Sequence, residues 1–140
     1  MTYSRRELCL LASALVASSA KATGNTRLTG KAYPYADLPV HQSHGHQSRP
    51  ILTGELHNGE YLEVHETRLP PGGMPHPAHH HAHEEMFLIR EGTVEVTING
   101  QTTRLGPGSV ALAASNEEHG IRNAGTTPAE YFVVAMGKDA

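Results

Sequence analysis

The 140-residue chain has no tryptophan, a single cysteine and few aromatic side chains. One cysteine excludes an intrachain disulfide, because such a bond joins two thiols. The cysteine, Cys9, lies close to the amino terminus, so the rest of the chain has no thiolate to act as a nucleophile or metal ligand. No apolar run is long enough to span a bilayer. The length suits one domain, whose chemistry comes from other side chains.

The first 22 residues have the features of an export signal. Residues 4–8 resemble a twin-arginine pattern, residues 8–17 form a short apolar core, and residues 20–22 resemble an A-x-A cleavage site. We therefore predict a signal peptide over residues 1–22 and a bacterial protein that is exported to the periplasm or outside the cell. After cleavage we expect no stable membrane insertion. The alternative is an amphipathic or anchoring helix at the amino terminus.

The chain that follows this signal is acidic and rich in histidine. Removal of residues 1–22 leaves eight basic and thirteen acidic residues, a net charge of about −5 with neutral histidines. No basic stripe remains, which argues against nucleic acid as a partner. The chain has eleven histidines, and five of them lie between His76 and His83.

Residues 72–92 contain a group of side chains that is typical of a metal site. His79 and His81 are two residues apart, so they point to one face of an extended chain, and Glu85 has the same parity. Neutral imidazole and carboxylate groups bind borderline divalent metals. We therefore predict a metal site formed by His79, His81 and Glu85, with His119 as the fourth ligand. The alternative is a histidine-rich surface loop that collects stray metal.

Two other histidines of the segment differ from this pair. His80 has the wrong parity to join His79 and His81, so we expect it to point outward. His83 has the right parity, but the chain is expected to turn before the glutamate. His83 is therefore predicted either as a group beside the ligands or as a replacement ligand.

Further side chains are candidates for the surroundings of the metal. The candidates for the inner face of an apolar pocket are Phe87, Ile89, Val94, Val96 and Leu112. The candidates for proton transfer are His41, His44, His83 and Tyr131. Phe87 and Tyr131 are predicted to contact a substrate. Ordinary core packing is an equally good alternative for all five apolar candidates.

Short segments in which apolar and polar residues alternate are separated by turn dipeptides. This pattern indicates an all-β barrel or sandwich. The Asn-Gly dipeptides at residues 58–59 and 99–100 each predict a hairpin, because Asn-Gly favours the turns that join antiparallel strands. In the strand predicted over residues 60–69, His65 has the opposite parity to the apolar residues, so we expect it to point outward. No segment after the signal has a sustained helical period.

The chain divides into three predicted segments. Residues 1–22 are the signal, residues 23–48 are an N-terminal arm with an edge strand near residues 31–40, and residues 49–140 are the barrel. Three histidines of the arm fall in an expected loop, either solvated or at the mouth of the barrel, namely His41, His44 and His46.

The histidine segment resembles the first sequence motif of the cupin family. That motif contains a glycine, a His-X-His pair, a glutamate and a second glycine at set spacings. The chain matches it with Gly73, His79, His81, Glu85 and Gly92. This match covers every residue type that the motif names.

The second cupin motif is met in part. Gly108, His119 and Asn123 have the expected spacing. Ala114 replaces the usual proline and Asn116 replaces the usual glycine. The turn before His119 is therefore expected to depart from the family pattern.

The resemblance spans roughly residues 50–136 and implies a jelly-roll β-barrel, commonly in a homodimer. The expected cofactor is one divalent transition metal, with Fe, Mn, Ni, Zn, Co and Cu all open. By analogy with the family we favour a metal-dependent enzyme that acts on a small organic molecule with dioxygenase-like chemistry. The alternatives are a non-redox lyase or isomerase, a ligand-binding protein without turnover, and a metal-buffering protein.

Overall fold

The computed structural model of the protein describes residues 26–43 and 45–137. The predicted export signal and His44 lie outside the described residues. The described chain has one short 3-10 helix, Tyr35–Asp37, and no helix that is long and apolar enough to cross a membrane. Its nine strands are β1 His41–Ser43, β2 His46–Glu55, β3 Tyr61–Leu69, β4 Glu84–Glu91, β5 Val94–Ile98, β6 Gln101–Leu105, β7 Val110–Ala113, β8 His119–Asn123 and β9 Ala129–Met136.

The strands form two sheets. The larger sheet has the order β1-β2-β3-β9-β4-β7, and the smaller sheet has the order β6-β5-β8. All of these strand pairs are antiparallel. The predicted all-β fold is confirmed, and both predicted Asn-Gly hairpins form, between β2 and β3 and between β5 and β6. Two antiparallel sheets around one core give the expected jelly-roll barrel.

The core lies between the two sheets, because alternate residues of each strand point toward it. The larger sheet contributes Leu69, Phe87, Ile89, Tyr131 and Val133, and the smaller sheet contributes Val94, Val96 and Ile121. None of these side chains is more than 5% exposed. Full burial of a large apolar side chain contributes roughly 1.5–3 kcal/mol relative to exposure, so this double layer holds the sheets together.

Two residues point to the face opposite to the predicted one. Leu112 lies on the outer face of β7 and is 49% exposed, although we expected it inside. His65 lies on the inner face of β3, in register with buried Val133 of β9, although we expected it outside. The larger sheet carries apolar side chains on both faces. The alternation of apolar residues along a strand therefore does not show which face points inward.

The N-terminal arm begins by pairing with the end of β2. The Leu28 N–H donates to Glu55 O at 2.8 Å, and the Glu55 N–H donates to Thr26 O at 3.0 Å. A side chain at Gly54 would place its Cβ 2.2 Å from Thr26 O. This close approach of two backbones therefore requires glycine.

The edge strand of the arm lies later in the chain than predicted. Residues 31–40 contain the 3-10 helix that follows Pro34, and β1 forms the edge by pairing with β2. The Tyr35 ring lies 4.3 Å from the Arg49 guanidinium and 5.0 Å from that of Arg90. These cation–π contacts hold the arm against the larger sheet.

Candidate metal centre

Backbone hydrogen bonds bring the predicted ligands together at the start of β8. The His79 N–H donates to His119 O at 3.0 Å, and the His119 N–H donates to His79 O at 2.8 Å. The Asn116 N–H donates to His81 O at 2.8 Å, which ties the histidine loop to the turn before β8. Glu85 enters from β4, where its side chain points inward.

The four predicted ligands converge on one point. His79, His81 and His119 each present a ring nitrogen, and these three atoms lie within 4.8 Å of one another. Glu85 Oε2 lies 3.0 Å from His119 Nε2 and 3.9 Å from His81 Nε2. His119 is buried, whereas His81 and Glu85 keep part of their surface exposed, so the cluster is accessible from one side.

Backbone carbonyls orient two of the three imidazoles. His81 Nδ1–H donates to His83 O at 2.9 Å, and His119 Nδ1–H donates to Glu117 O at 2.8 Å. In each ring the Nε2 lone pair then faces the cluster. Metal-binding histidines are commonly held in this way, with the second ring nitrogen donating to a carbonyl or carboxylate.

The nitrogen atoms of the cluster fit a cation. His81 Nε2 and His79 Nδ1 are buried and have no hydrogen-bond partner among the described residues, although buried polar atoms are normally paired. The His119 Nε2 lone pair faces Glu85 Oε2 at 3.0 Å, so two acceptors meet unless a proton or a metal ion lies between them. Three imidazole nitrogens and a carboxylate oxygen suit a divalent transition metal.

His79 is held in the form that binds metal. Burial lowers its pKa, and the neighbouring His76, His119 and His81 rings lower it further, while Glu85 acts in the opposite direction. A lowered pKa keeps the imidazole neutral at physiological pH. Only the neutral ring has a lone pair for a metal.

His83 lies against His81 and supports it. His81, His83 and Glu85 form a second group whose ligand atoms lie within 4.8 Å of one another. The His83 ring stacks on His81 with centroids 3.5 Å apart and 13° between the planes. An imidazole binds a metal in its own plane, so two parallel stacked rings do not direct their lone pairs at one ion. His80 is exposed.

A cavity of about 240 Å³ adjoins the cluster. Glu85 and His119 lie in its wall, so a molecule in the cavity reaches the cluster directly. Phe87 and Tyr131 also line it, with ring centroids 6.0 Å apart in an edge-to-face arrangement. Pockets for drug-sized ligands have about 300–1,000 Å³, so this cavity suits a smaller molecule.

Tyr131 retains its proton in this cavity. The residue is 1% exposed, and its hydroxyl is hydrogen-bonded to Thr67. Burial raises the pKa of the phenol well above its usual value. Tyr131 is therefore a hydrogen-bond donor at neutral pH.

Two histidines of the cavity wall differ from their predicted places. His65 was expected outside the barrel and His46 in a loop, yet both line the cavity from β3 and β2. The signal that locates His65 is its shared parity with Thr67 and Leu69, which are both buried. His46 belongs to the extended start of β2, which begins before the strand predicted from Arg49.

The turn before β8 keeps a glycine-like conformation without glycine. Asn116 has a φ of 62°, in the left-handed region that asparagine tolerates better than most residues. The Glu117 carboxylate accepts hydrogen bonds from the Ala114 N–H at 3.0 Å and from Asn99 Nδ2 at 2.9 Å. The side chain of Glu117 thus holds the turn whose carbonyl orients His119.

The last residue of each motif has a structural role. Asn123 is buried, and its Nδ2 donates to Leu69 O at 3.0 Å and to Thr127 O at 2.8 Å. A Cβ at Gly92 would lie 2.7 Å from Ala129 Cα, and its φ is 78°. Both positions therefore fix the backbone around the core.

The fold is similar to solved structures from several organisms. KdgF from a Halomonas species aligns with a TM-score of 0.67 and 18% identity, over 79% of this chain and 97% of that one. A predicted oxalate decarboxylase from Thermotoga maritima gives 0.63 and 22%, over 76% and 99%. The polyketide cyclase RemF from Streptomyces resistomycificus gives 0.62 and 19%, over 77% and 80%. At these identities the likeness concerns the fold alone.

Sequence comparison gives the family. No protein with a curated description matches the chain. The family model described as "Cupin domain" matches residues 65–135, half of the 140-residue chain. The matched range contains all four predicted ligands and the cavity wall from β3, β4, β8 and most of β9. The chain therefore belongs to the cupin family.

Proposed function

We propose that this cupin is a metal-dependent enzyme that acts on a small organic molecule. The proposal is carried by His81 Nε2 and His79 Nδ1, two buried nitrogens that have no hydrogen-bond partner among the described residues. Both belong to one cluster with His119, which lies in the cavity wall. A divalent ion held by His79, His81, Glu85 and His119 would supply a Lewis acid, or a redox centre, at the cavity wall. Four protein ligands leave coordination positions open on a five- or six-coordinate ion, as a catalytic site requires.

The identity of the metal separates the reaction classes. The dioxygenase-like chemistry predicted from the resemblance needs a redox metal such as Fe, Mn, Ni or Cu, whereas Zn favours lyase or isomerase chemistry. The Thermotoga maritima protein is named as a predicted oxalate decarboxylase and the Streptomyces protein as a polyketide cyclase. Both names fit the small-molecule chemistry proposed here.

Substitution of single ligands tests the proposal. In His81→Ala and His119→Ala the affinity for Zn²⁺, measured by titration calorimetry, is expected to fall at least about 10-fold because a ligand nitrogen is lost. The matched control is His80→Ala, which removes an exposed histidine of the same segment and is expected to bind Zn²⁺ as the wild type does. Unchanged affinity in both ligand variants would contradict the assignment.

Export is proposed on the sequence of residues 1–22. The twin-arginine pattern at Arg5 and Arg6, the apolar core and the A-x-A site support it. The double variant Arg5→Lys/Arg6→Lys is expected to remain uncleaved in the cytoplasm, as cell fractionation and mass spectrometry of the protein report. An unchanged periplasmic fraction of the cleaved protein would contradict export by this route.

A homodimer through the outer face of the larger sheet is also proposed. One lateral row of that face carries an apolar side chain on five adjacent strands, namely Leu52, Val64, Val134, Met86 and Leu112. Val110 lies on the same face of β7 and is 54% exposed. Exposed apolar patches of this kind commonly mark protein interfaces, and a two-fold axis pairs the patch with itself.

A further inference from the structure

His65 occupies the wall of the cavity contributed by β3. His65, Val133 and Phe87 are in register across β3, β9 and β4, and the latter two are buried in the core. The neighbouring row on the same face contains Glu63, Ala135 and Glu85. His65 on β3 is therefore separated from Glu85 on β4 by one residue row and by the intervening strand β9. Both side chains line the same cavity.

A carboxylate fixes the tautomer of this imidazole. His65 Nδ1–H donates to Glu63 Oε1 at 2.9 Å. That hydrogen bond is the main reason why the pKa of Glu63 is lowered, so Glu63 is a carboxylate at neutral pH. With Nδ1 engaged, Nε2 of the neutral ring is the nitrogen with a lone pair. An imidazole oriented by a carboxylate is the arrangement that enzymes use for general bases.

Four other groups of the cavity wall are less suited to accept a proton. Burial keeps Tyr131 protonated. His119 Nε2 and Glu85 Oε2 lie 3.0 Å apart, and both residues belong to the predicted ligand set. His76 is exposed, and its Nδ1 is hydrogen-bonded to the neighbouring Pro77 carbonyl at 3.0 Å. His65 combines a place in the wall with a carboxylate partner outside the cluster.

We propose that His65 is the general base of this site and that Glu63 positions its ring. A base in the wall of a cavity beside a Lewis acid fits small carbonyl compounds with an acidic C–H group beside the carbonyl. This inference rests on the proposed metal-dependent function. It adds to that function the proton-transfer residue and the substrate class.

The proposed step needs no further reactant. Neutral His65 takes the proton from the carbon beside the substrate carbonyl. The electron pair of the broken C–H bond forms the carbon–carbon double bond of an enolate, and the carbonyl π pair moves to oxygen. The imidazolium, paired with the Glu63 carboxylate, then returns a proton to carbon. In D₂O the N–H of the imidazolium first exchanges with the solvent, so deuterium is returned to carbon and the step is visible as exchange.

Glu63 is tested as a positioning residue through the tautomer of His65. In long-range ¹H–¹⁵N spectra, wild-type His65 is expected to carry its proton on Nδ1, and Glu63→Ala is expected to lose this preference. Glu63→Gln retains an acceptor oxygen and is expected to keep both the tautomer and most of the exchange rate, whereas Glu63→Ala loses about 10-fold or more in rate. An unchanged tautomer in Glu63→Ala would overturn the positioning role.

The base itself is tested with Zn²⁺-loaded full chain and pyruvate in D₂O. Loss of the pyruvate methyl signal in ¹H NMR reports the exchange. The wild type is expected to accelerate it, and His65→Gln is expected to lower the rate by about 100-fold or more, because general base catalysis contributes about 10²–10⁴. The matched control is His57→Gln, in the exposed turn between β2 and β3, which is expected to exchange at the wild-type rate.

The Zn²⁺ content of each protein distinguishes a failure of the His65 assignment from a failure of the proposed metal site. If His65→Gln binds Zn²⁺ and exchanges pyruvate as fast as the wild type, the base assignment is overturned. If the wild type binds Zn²⁺ without accelerating exchange, the proposed substrate class and step are overturned. If the wild type binds no Zn²⁺ at the cluster, the proposed function fails, and the inference that rests on it falls as well.

Discussion

Single hydrogen bonds to Nδ1 orient three histidines of the site. In His81 and His119 the Nδ1–H groups donate to backbone carbonyls, so the lone pairs face the cluster. In His65 the same nitrogen donates to a carboxylate side chain, and the ring lines the cavity instead. A carbonyl acceptor orients a ring for metal binding, while a carboxylate also stabilises the protonated ring. Location therefore distinguishes them, because His81 and His119 belong to the cluster and His65 lies in the cavity wall.

Glu63 is expected to make the stability of the protein depend on pH. Its pKa is lowered below the ordinary 4.5, chiefly by the hydrogen bond with His65, although burial acts in the opposite direction. A carboxyl group with a lowered pKa in the folded state stabilises the protein above its unfolded pKa, and this contribution is lost as the pH falls through the lowered value. Glu63→Gln is therefore expected to destabilise the protein at about pH 6 and to differ less from the wild type below about pH 4.

Thermal unfolding of the two proteins across this pH range checks the prediction. Glu63→Gln retains the size and one acceptor of the side chain, so the difference in midpoint reports mainly the lost charge. A difference that stays constant or grows on acidification would contradict the described hydrogen bond.

Among the elements, the turn before β8 has the most direct influence on the site. Asn116 adopts a left-handed conformation there, its N–H binds the His81 carbonyl, and the next residue orients His119. A left-handed backbone costs about 1–2 kcal/mol for residues with an ordinary Cβ and little for glycine. The turn therefore couples backbone conformation to the positions of two ligands.

Two substitutions at Asn116 are expected to behave differently. Asn116→Ala is expected to lower the free energy of unfolding by about 1 kcal/mol, because alanine does not favour a positive φ. Asn116→Gly, which restores the residue typical of the motif, is expected to remain close to the wild type. Urea unfolding measures both. Equal stability of the two variants would contradict the left-handed assignment.

The sequence predicts elements more reliably than the faces of strands. Asn-Gly turns and alternating segments locate the hairpins, because their chemistry is local. The spacing of His79, His81 and Glu85 likewise places three groups that the structure brings together. His65 and Leu112 were assigned to the wrong faces, since both faces of the larger sheet are apolar and only tertiary packing distinguishes them.

For the whole molecule, the two faces of the larger sheet have separate roles. The inner face carries the core, the cavity and Glu85. The outer face carries the row of apolar side chains that includes Met86 and Leu112. A single strand such as β4 therefore connects the site to the proposed dimer interface through alternate residues.

Leu112→Glu is expected to weaken the proposed homodimer. A charged group in an apolar interface loses its hydration without a partner, so the equilibrium shifts toward the monomer. Size-exclusion chromatography with light scattering is expected to show twice the mass of the chain for the wild type and a lower mass for the variant. The control is Thr102→Glu, at an exposed position of β6 in the smaller sheet, which is expected to remain dimeric. A monomeric wild type would contradict the interface.

The proposed function requires one functional metal per chain. The most direct measurement is elemental analysis of untagged protein purified from the cell envelope of its natural source. We expect close to one equivalent of a single transition metal. Fe, Mn, Ni or Cu would direct the search to oxidisable substrates, and Zn to Lewis-acid chemistry. Mixed metals far below one equivalent, or several equivalents per chain, would contradict the claim and favour simple ligand binding or metal buffering.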